Sequence, residues 1–238
     1  MRTLVLTAHG SKDPRSAANV RAVATQIARM RRDLEVRIAF LEQNSPSLVD
    51  VLAGLGDTRQ AVISPLLLAR AYHARIDIPK QIARAGEHGV RQADVLGEDD
   101  RLVAVLRQRL GELGVSAHDG TLGVLVVAIG SSDIAVNART ATVAAKLAAG
   151  TQWAAAATAF ATGPEPSVAA SADQLRRRGA RQLVIAPWFL APGRVTDRVW
   201  TYARHAGIAM ARPLGAHRLV AETVLDRFEY ATADQAAA

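Results

Sequence analysis

Three residues of this chain carry groups that could work on one ion: His9 in "LTAHGSKDP" (6–14), Glu42 in "FLEQNSPS" (40–47) and His73 in "PLLLARAYHARIDIP" (65–79). Two neutral imidazoles and a carboxylate suit a borderline divalent metal such as Co²⁺, Ni²⁺, Fe²⁺ or Zn²⁺. The three lie far apart in sequence, and no HExxH-like local motif joins them. Taken singly, each has a plainer reading. His9 could cap the helix after it, Glu42 could be a solvated loop carboxylate, and His73 could sit on the surface. Whether they meet depends on the elements that carry them.

Apolar runs of strand length alternate with stretches of helical apolar spacing. In the first half, strands are expected at 3–8, 35–41, 60–68 and 90–96, and helices at 15–33, 46–56, 77–89 and 99–114. The second helix has proline at its start and glycine at its end. Strands follow in the second half near 122–128, 153–160, 181–187 and 208–212. Repeated β–α units imply parallel sheets with helices on both faces.

The chain also repeats itself. "LVLTAHGSKD" (4–13) returns as "VLVVAIGSSD" (124–133), Phe40 as Phe160, Pro46-Ser47 as Pro166-Ser167, and Asp77 as Asp197, all at an offset of 120. "VISPLLLA" (62–69) returns as "VIAPWFLA" (184–191), and "VLGEDDRLV" (95–103) as "PLGAHRLVA" (213–221). The expected architecture is two tandem α/β domains, 1–115 and 121–238, each a mainly four-stranded parallel sheet with flanking helices. The glycine-rich segment 111–123 forms the boundary. Ligands of open parallel sheets sit beyond the carboxyl ends of the strands, which singles out His9-Gly10-Ser11, Glu42-Gln43-Asn44 and the segment 69–73. The second repeat has Ile129, Thr162 and a shortened segment around Arg194 in their places. Their joint loss from the second repeat is what gives the three residues weight.

Composition narrows the field. Half of the 238 residues are hydrophobic but only 4% are aromatic, and there is no cysteine, which excludes disulfides, thiolate zinc sites and iron–sulfur clusters. No apolar run reaches the ~18 residues needed to cross a bilayer. The N-terminal apolar stretch is short for a signal peptide, so a cytoplasmic protein without a membrane partner is expected. The net charge of +7 suggests an anionic ligand. Aromatics do not interleave with the basic residues, which argues against nucleic acid. The longest basic run, 176–178, sits late in an expected helix, where the dipole favours cations.

"AHGS" after the first strand, "FLE…PS" after the second and "PLLLARAYHARIDIP" after the third make the chain resemble the class II chelatases of tetrapyrrole biosynthesis. Within these it is most similar to the sirohydrochlorin chelatases of the CbiX/SirB type. The resemblance spans essentially the whole chain. It departs at "ARAY" before His73, where many members have glycine next to the histidine. It implies ATP-independent insertion of Co²⁺ or Fe²⁺, with Ni²⁺ a further candidate, into sirohydrochlorin on the routes to cobalamin or siroheme. It also implies no organic cofactor and a metal site at His9, Glu42 and His73.

Residue chemistry agrees with this. Imidazole holds an ion yet releases it, and imidazole or carboxylate can accept the two pyrrole protons that must leave. Sirohydrochlorin carries eight carboxylates, which the resemblance places against cationic groups. The candidates are Lys12, Arg15, Arg70, Arg75, Arg194 and Arg198, with the Gly10-Ser11 and Gly130-Ser131 turns offering backbone N–H groups at helix starts. One chain with both repeats would supply what a half-length relative needs a dimer to make, so a monomer with internal pseudo-twofold symmetry is expected. Two alternatives stand beside this. A non-enzymatic metal or tetrapyrrole carrier would use the same site. A histidine-nucleophile phosphatase would want an arginine before the histidine, and Ala8 stands there.

Overall fold

A computed structural model describes residues 2–55, 61–86, 89–163 and 165–236. The first compact unit joins Met1–Gly97 to Ala216–Ala238, and the second is Glu98–Gly215. Each contains one four-stranded parallel sheet, as the sequence pattern implies.

In the first unit, β1 (Thr3–Ala8) lies between β2 (Glu35–Phe40) and β3 (Ala61–Pro65), with β4 (Arg91–Gln92) beyond β3. β1 is buried along its whole length, as an apolar run covered on both faces should be. α1 (Pro14–Met30) follows β1 and is capped by Asp13, whose carboxylate accepts from the Arg15 N–H, with Pro14 in its first turn. α2 (Leu48–Ala53) is capped by Ser47. Ala8 pairs with Phe40 and Thr7 with Pro65, so three neighbouring strands end at the same level. The chain leaves β1 toward β2 and leaves β3 toward β4. The carboxyl ends of β1 and β3 therefore flank the point where the strand order reverses, the place where such sheets bind ligands.

The edge strand is shorter than the seven residues expected at 90–96. Alternate residues of β3 turn their amides to β1 and to β4. The Leu66 N–H reaches the Thr7 carbonyl at 2.8 Å, so position 65 faces the edge. Proline there has no N–H to give, and the ladder stops after Gln92. Pro187 stands at the same place in the second sheet. The segment before the third helix also differs. A helix is expected from Asp77, but the chain first makes a π-helical turn over His73–Asp77 and then enters α3 (Ile78–Ala85). Gly86 ends α3 in the left-handed conformation, short of the expected 89.

The second unit repeats the order. β5 (Leu122–Ala128) lies between β6 (Ala155–Phe160) and β7 (Gln182–Pro187), with β8 (Ala209–Met210) at the edge. The helices α5 (Ile134–Ala148), α6 (Val168–Arg177) and α7 (Arg194–His205) join them. The basic run 176–178 falls at the end of α6, where the sequence places it.

The sequence boundary at 115–121 does not coincide with the division in space, because the closing helix of each repeat belongs to the other repeat's unit. α4 (Asp100–Gly111) closes the first repeat, yet it packs in the second unit. There Lys146 Nζ donates to Asp100 Oδ1 and the Glu98 carbonyl, both at 2.7 Å, and Arg107 donates to the Lys146 carbonyl. α8 (Arg218–Ala236) closes the second repeat and packs in the first unit, burying Val220, Val224 and Phe228 on one face. Arg227 donates to the carbonyls of Val95 and Leu96, and the Arg2 guanidinium lies 5.6 Å from the Phe228 ring centroid.

Glu229 anchors α8 by accepting from Arg2 (3.1 Å) and from Arg31, which also donates to Asp33. The Arg31 hydrogen bond holds Asp33 down to about 2 and is the largest influence holding Glu229 below the usual carboxylate range. Depressed carboxylates stabilise the fold above their unfolded values and lose that contribution as pH falls through the folded ones. Glu229→Gln should therefore lower stability by roughly 1 kcal/mol at pH 7, a figure kept small by solvent screening. The gap to the wild type should begin to narrow below about pH 4. Urea unfolding across that range checks this.

Candidate metal site

His9 and Glu42 stand just past β1 and β2, and the ladder runs on into them: the Glu42 N–H donates to the His9 carbonyl at 3.0 Å. His73 begins the π-helical turn after β3. All three belong to the first unit, and the structure brings them together. The His9 and His73 rings meet edge to face, centroids 4.0 Å apart at 84°, and His9 Nε2 lies 3.3 Å from Glu42 Oε1.

The other ring nitrogens have partners of their own. His9 Nδ1 is 3.0 Å from the Gly10 carbonyl, which can only accept, so Nδ1 carries the proton. His73 Nδ1 is 2.6 Å from Asp77 Oδ2, placed there by the four-residue spacing across the turn. In the neutral rings this leaves both Nε2 lone pairs to bind, the arrangement that orients metal-ligating histidines. A lone pair at Nε2 facing a carboxylate oxygen at 3.3 Å is repulsive, so either a proton or a metal ion belongs between them. Gln92 supports the turn, its Nε2 donating to the Ala74 carbonyl at 2.7 Å. Among the described residues, no three His, Asp or Glu side chains are already closed into a shell that could hold a metal ion. The donors form two linked pairs that share His9.

Gly10 makes the approach possible. At φ +97° it lies so close to the next loop that a Cβ would fall 1.8 Å from the Glu42 carbonyl oxygen. Gly130 has the same role in the second unit, where a Cβ would lie 2.2 Å from the Gly163 carbonyl.

The expected anion cradle at Gly10-Ser11 is closed, because neighbouring side chains fill it. The Ser11 N–H donates to Asn44 Oδ1 at 2.7 Å, the Lys12 N–H to Gln43 Oε1 at 3.1 Å, and the Ser11 hydroxyl accepts from the Asp13 N–H. In the second unit the Ser131 N–H donates to Asn137 Oδ1 at 2.8 Å. Arg15 folds onto Asp13 within its own turn, Nε to Oδ1 at 3.0 Å. Arg70 is exposed, 3.8 Å from Asp94. The Lys12 and Arg75 side chains are exposed in the first unit, and Arg194 and Arg198 are exposed on α7 in the second. Of the other histidines, His217 Nδ1 accepts from the Leu219 N–H at the start of α8, and His88 lies outside the described residues. The sequence pattern gives no sign of Asp77 as a partner of His73, although its i+4 position is visible, and it places Gln43 and Asn44 at a strand end without a role for either.

Two variants test the geometry. Gly10→Ala should push the loop of residues 42–44 away, lowering the unfolding midpoint and weakening Co²⁺ binding together, as thermal melts and calorimetric titration would show. Asp77→Ala should leave the midpoint nearly unchanged yet weaken Co²⁺ binding roughly 10–100-fold, the usual effect of losing an outer hydrogen-bond partner.

A family model, CbiX, matches residues 3–113 and again residues 123–231. The chain is 30% identical over 210 residues to a sirohydrochlorin ferrochelatase of Priestia megaterium, covering 84% of this chain and 77% of that one. It is 26% identical over 212 residues to a sirohydrochlorin cobaltochelatase of the same organism, covering 84% and 67%. Among solved structures, SirB from Bacillus subtilis with Fe³⁺ superposes with a TM-score of 0.81 at 21% identity, over 100% of this chain and 98% of that one, which establishes a common fold. Two matches of one family model, falling on the two repeats already seen in sequence and structure, place this chain in the CbiX family.

Proposed function

We propose that this protein is a sirohydrochlorin chelatase, inserting Co²⁺ or Fe²⁺ into the macrocycle without ATP or an organic cofactor. The observation that carries the proposal is His9, past the end of β1, lying against His73 on one side and the Glu42 carboxylate on the other, with both Nδ1 atoms held by partners of their own. The family supports it, since its named relatives are sirohydrochlorin ferro- and cobaltochelatases.

The chemistry asks for a site that binds an ion without keeping it. A divalent ion enters the ring while two pyrrole protons leave, so the macrocycle's charge is unchanged. Two imidazoles and one carboxylate can strip part of the hydration shell and neutralise part of the charge. An open, partly exposed donor set lets the ring nitrogens displace the protein ligands one at a time. Once the ion has moved on, the freed Nε2 and carboxylate oxygens can take up the pyrrole protons. The exposed cationic side chains Lys12, Arg70 and Arg75 of the first unit are proposed to meet the substrate's carboxylates. With both repeats in one chain, the protein is proposed to act as a monomer.

Absorbance of metal-free sirohydrochlorin mixed with Co²⁺ and protein, with no ATP added, tests the activity. Turnover beyond one equivalent marks an enzyme, and a single stoichiometric change marks a carrier. His9→Ala and His73→Ala should each lower the rate by more than about 100-fold, beyond the effect of losing an outer partner. Glu42→Gln should be milder, about tenfold. Calorimetry should find one tight Co²⁺ per chain, absent from the His9→Ala/His73→Ala protein. A protein altered at His88, His118, His205 and His217 should retain it. The reverse pattern would move the site elsewhere.

A further inference from the structure

Glu42, Gln43 and Asn44 form a three-residue turn in which the Asn44 N–H donates to the Glu42 carbonyl at 2.8 Å. Its centre, Gln43, has φ +61° and is the one non-glycine residue among those described with a positive φ. An i to i+2 bond closed over a positive φ makes the rare, strained kind of γ-turn. A long side chain is unfavourable there.

The second repeat supplies an internal control. At the offset of 120 that relates Phe40 to Phe160 and Pro46 to Pro166 stands Gly163, with φ +73°. There the left-handed backbone has the residue that suits it, beside Thr162 and Ile129, which are not ligands. The first repeat keeps a glutamine at the same left-handed position, beside Glu42 and His9. An observed outlier of this kind is a reason to ask what its side chain does.

Its amide does two things. Nε2 donates to Glu42 Oε1 at 3.0 Å, the same oxygen that lies 3.3 Å from His9 Nε2. Oε1 accepts the Lys12 N–H at 3.1 Å, from the loop that carries His9. Only one orientation of the amide satisfies both a carboxylate and an N–H. One planar group thus ties the carboxylate to the histidine's own loop. The Glu42 side chain is 52% exposed, so little else limits its rotamers.

We infer that Gln43 is a positioning residue: its amide holds the Glu42 carboxylate beside His9, so that carboxylate and imidazole meet an incoming metal ion in one geometry. The inference rests on the assignment of His9 and Glu42 as metal-holding groups. Preorganised outer partners of this sort change metal affinity or rate far more than they change fold stability.

Two substitutions separate the amide from the backbone. Gln43→Gly removes the amide and gives the turn the residue its φ favours. Gln43→Met keeps the length and the disfavoured backbone but loses both hydrogen bonds. On the full-length chain, both should bind Co²⁺ about tenfold more weakly by calorimetric titration and raise KM for Co²⁺ by a similar factor. KM for sirohydrochlorin should stay at the wild-type value, and Gln43→Gly should melt no lower than Gln43→Met. Wild-type Co²⁺ affinity in Gln43→Gly, beside a loss in Glu42→Gln, would overturn the inference and leave the metal assignment standing. Full affinity in Gln43→Met with a loss confined to a poorly folded Gln43→Gly would overturn it too. Wild-type affinity in both Glu42→Gln and His9→Ala would remove the metal assignment, and the inference with it.

Discussion

The first unit is organised around one close approach, the Gly10 backbone against the carbonyl of Glu42, with no room for a Cβ between them. Two parallel strands ending in register bring their loops near each other, but side chains normally hold such loops apart. Removing the Cβ lets the loops touch, and their polar groups then lock. The Glu42 N–H reaches the His9 carbonyl, and Asn44 and Gln43 take up the N–H groups of Ser11 and Lys12. His9 is set on one side of that seam and the Glu42 carboxylate on the other. The third participant arrives separately, on a π-helical turn whose wider winding sets Asp77 behind His73. π-turns are uncommon and recur at functional sites. Here the turn carries a ligand candidate and its orienting carboxylate on a single coil.

Most of the architecture was legible because it rests on local pattern. Apolar runs of strand length, helical spacing between them and a repeat at about 120 residues lead directly to two parallel sheets. What the pattern could not show was which sheet each amphipathic helix covers. The apolar face of α4, with Leu102, Leu106 and Leu110, would suit either sheet, because duplication has made the two alike. Contacts such as Lys146 with Asp100 for α4 and Arg31 with Glu229 for α8 accompany the choice, and they join residues far apart in sequence. The shortness of β4 was in principle readable from Pro65, once the direction of alternate amides is known.

The site divides in the same way. His9, Glu42 and His73 could be picked out because strand ends are where parallel sheets bind ligands, and because Ile129 and Thr162 show the same scaffold without them. The groups that orient them were not visible. Asp77 is four residues from His73, a spacing that only a helical turn starting at the histidine makes meaningful. Gln43 and Asn44 act across a gap of about thirty residues, on N–H groups that the sequence reading had reserved for an anion. Helix starts attract anions in general, but a nearby Asn or Gln carbonyl reaches them first.

The exchange of closing helices means that neither repeat is a module that can be lifted out. The natural unit of engineering is a circular permutation. Joining the two ends and reopening the chain between Gly215 and Ala216 would make residues 216–238 run straight into 1–97, and leave 98–215 whole. Each compact unit would then be one unbroken stretch of polypeptide. The ion pair of Arg2 with Glu229 already ties the residue before β1 to the last helix within that unit. In that order of synthesis, the candidate metal-bearing unit would emerge from the ribosome complete, rather than waiting for the final helix to be made.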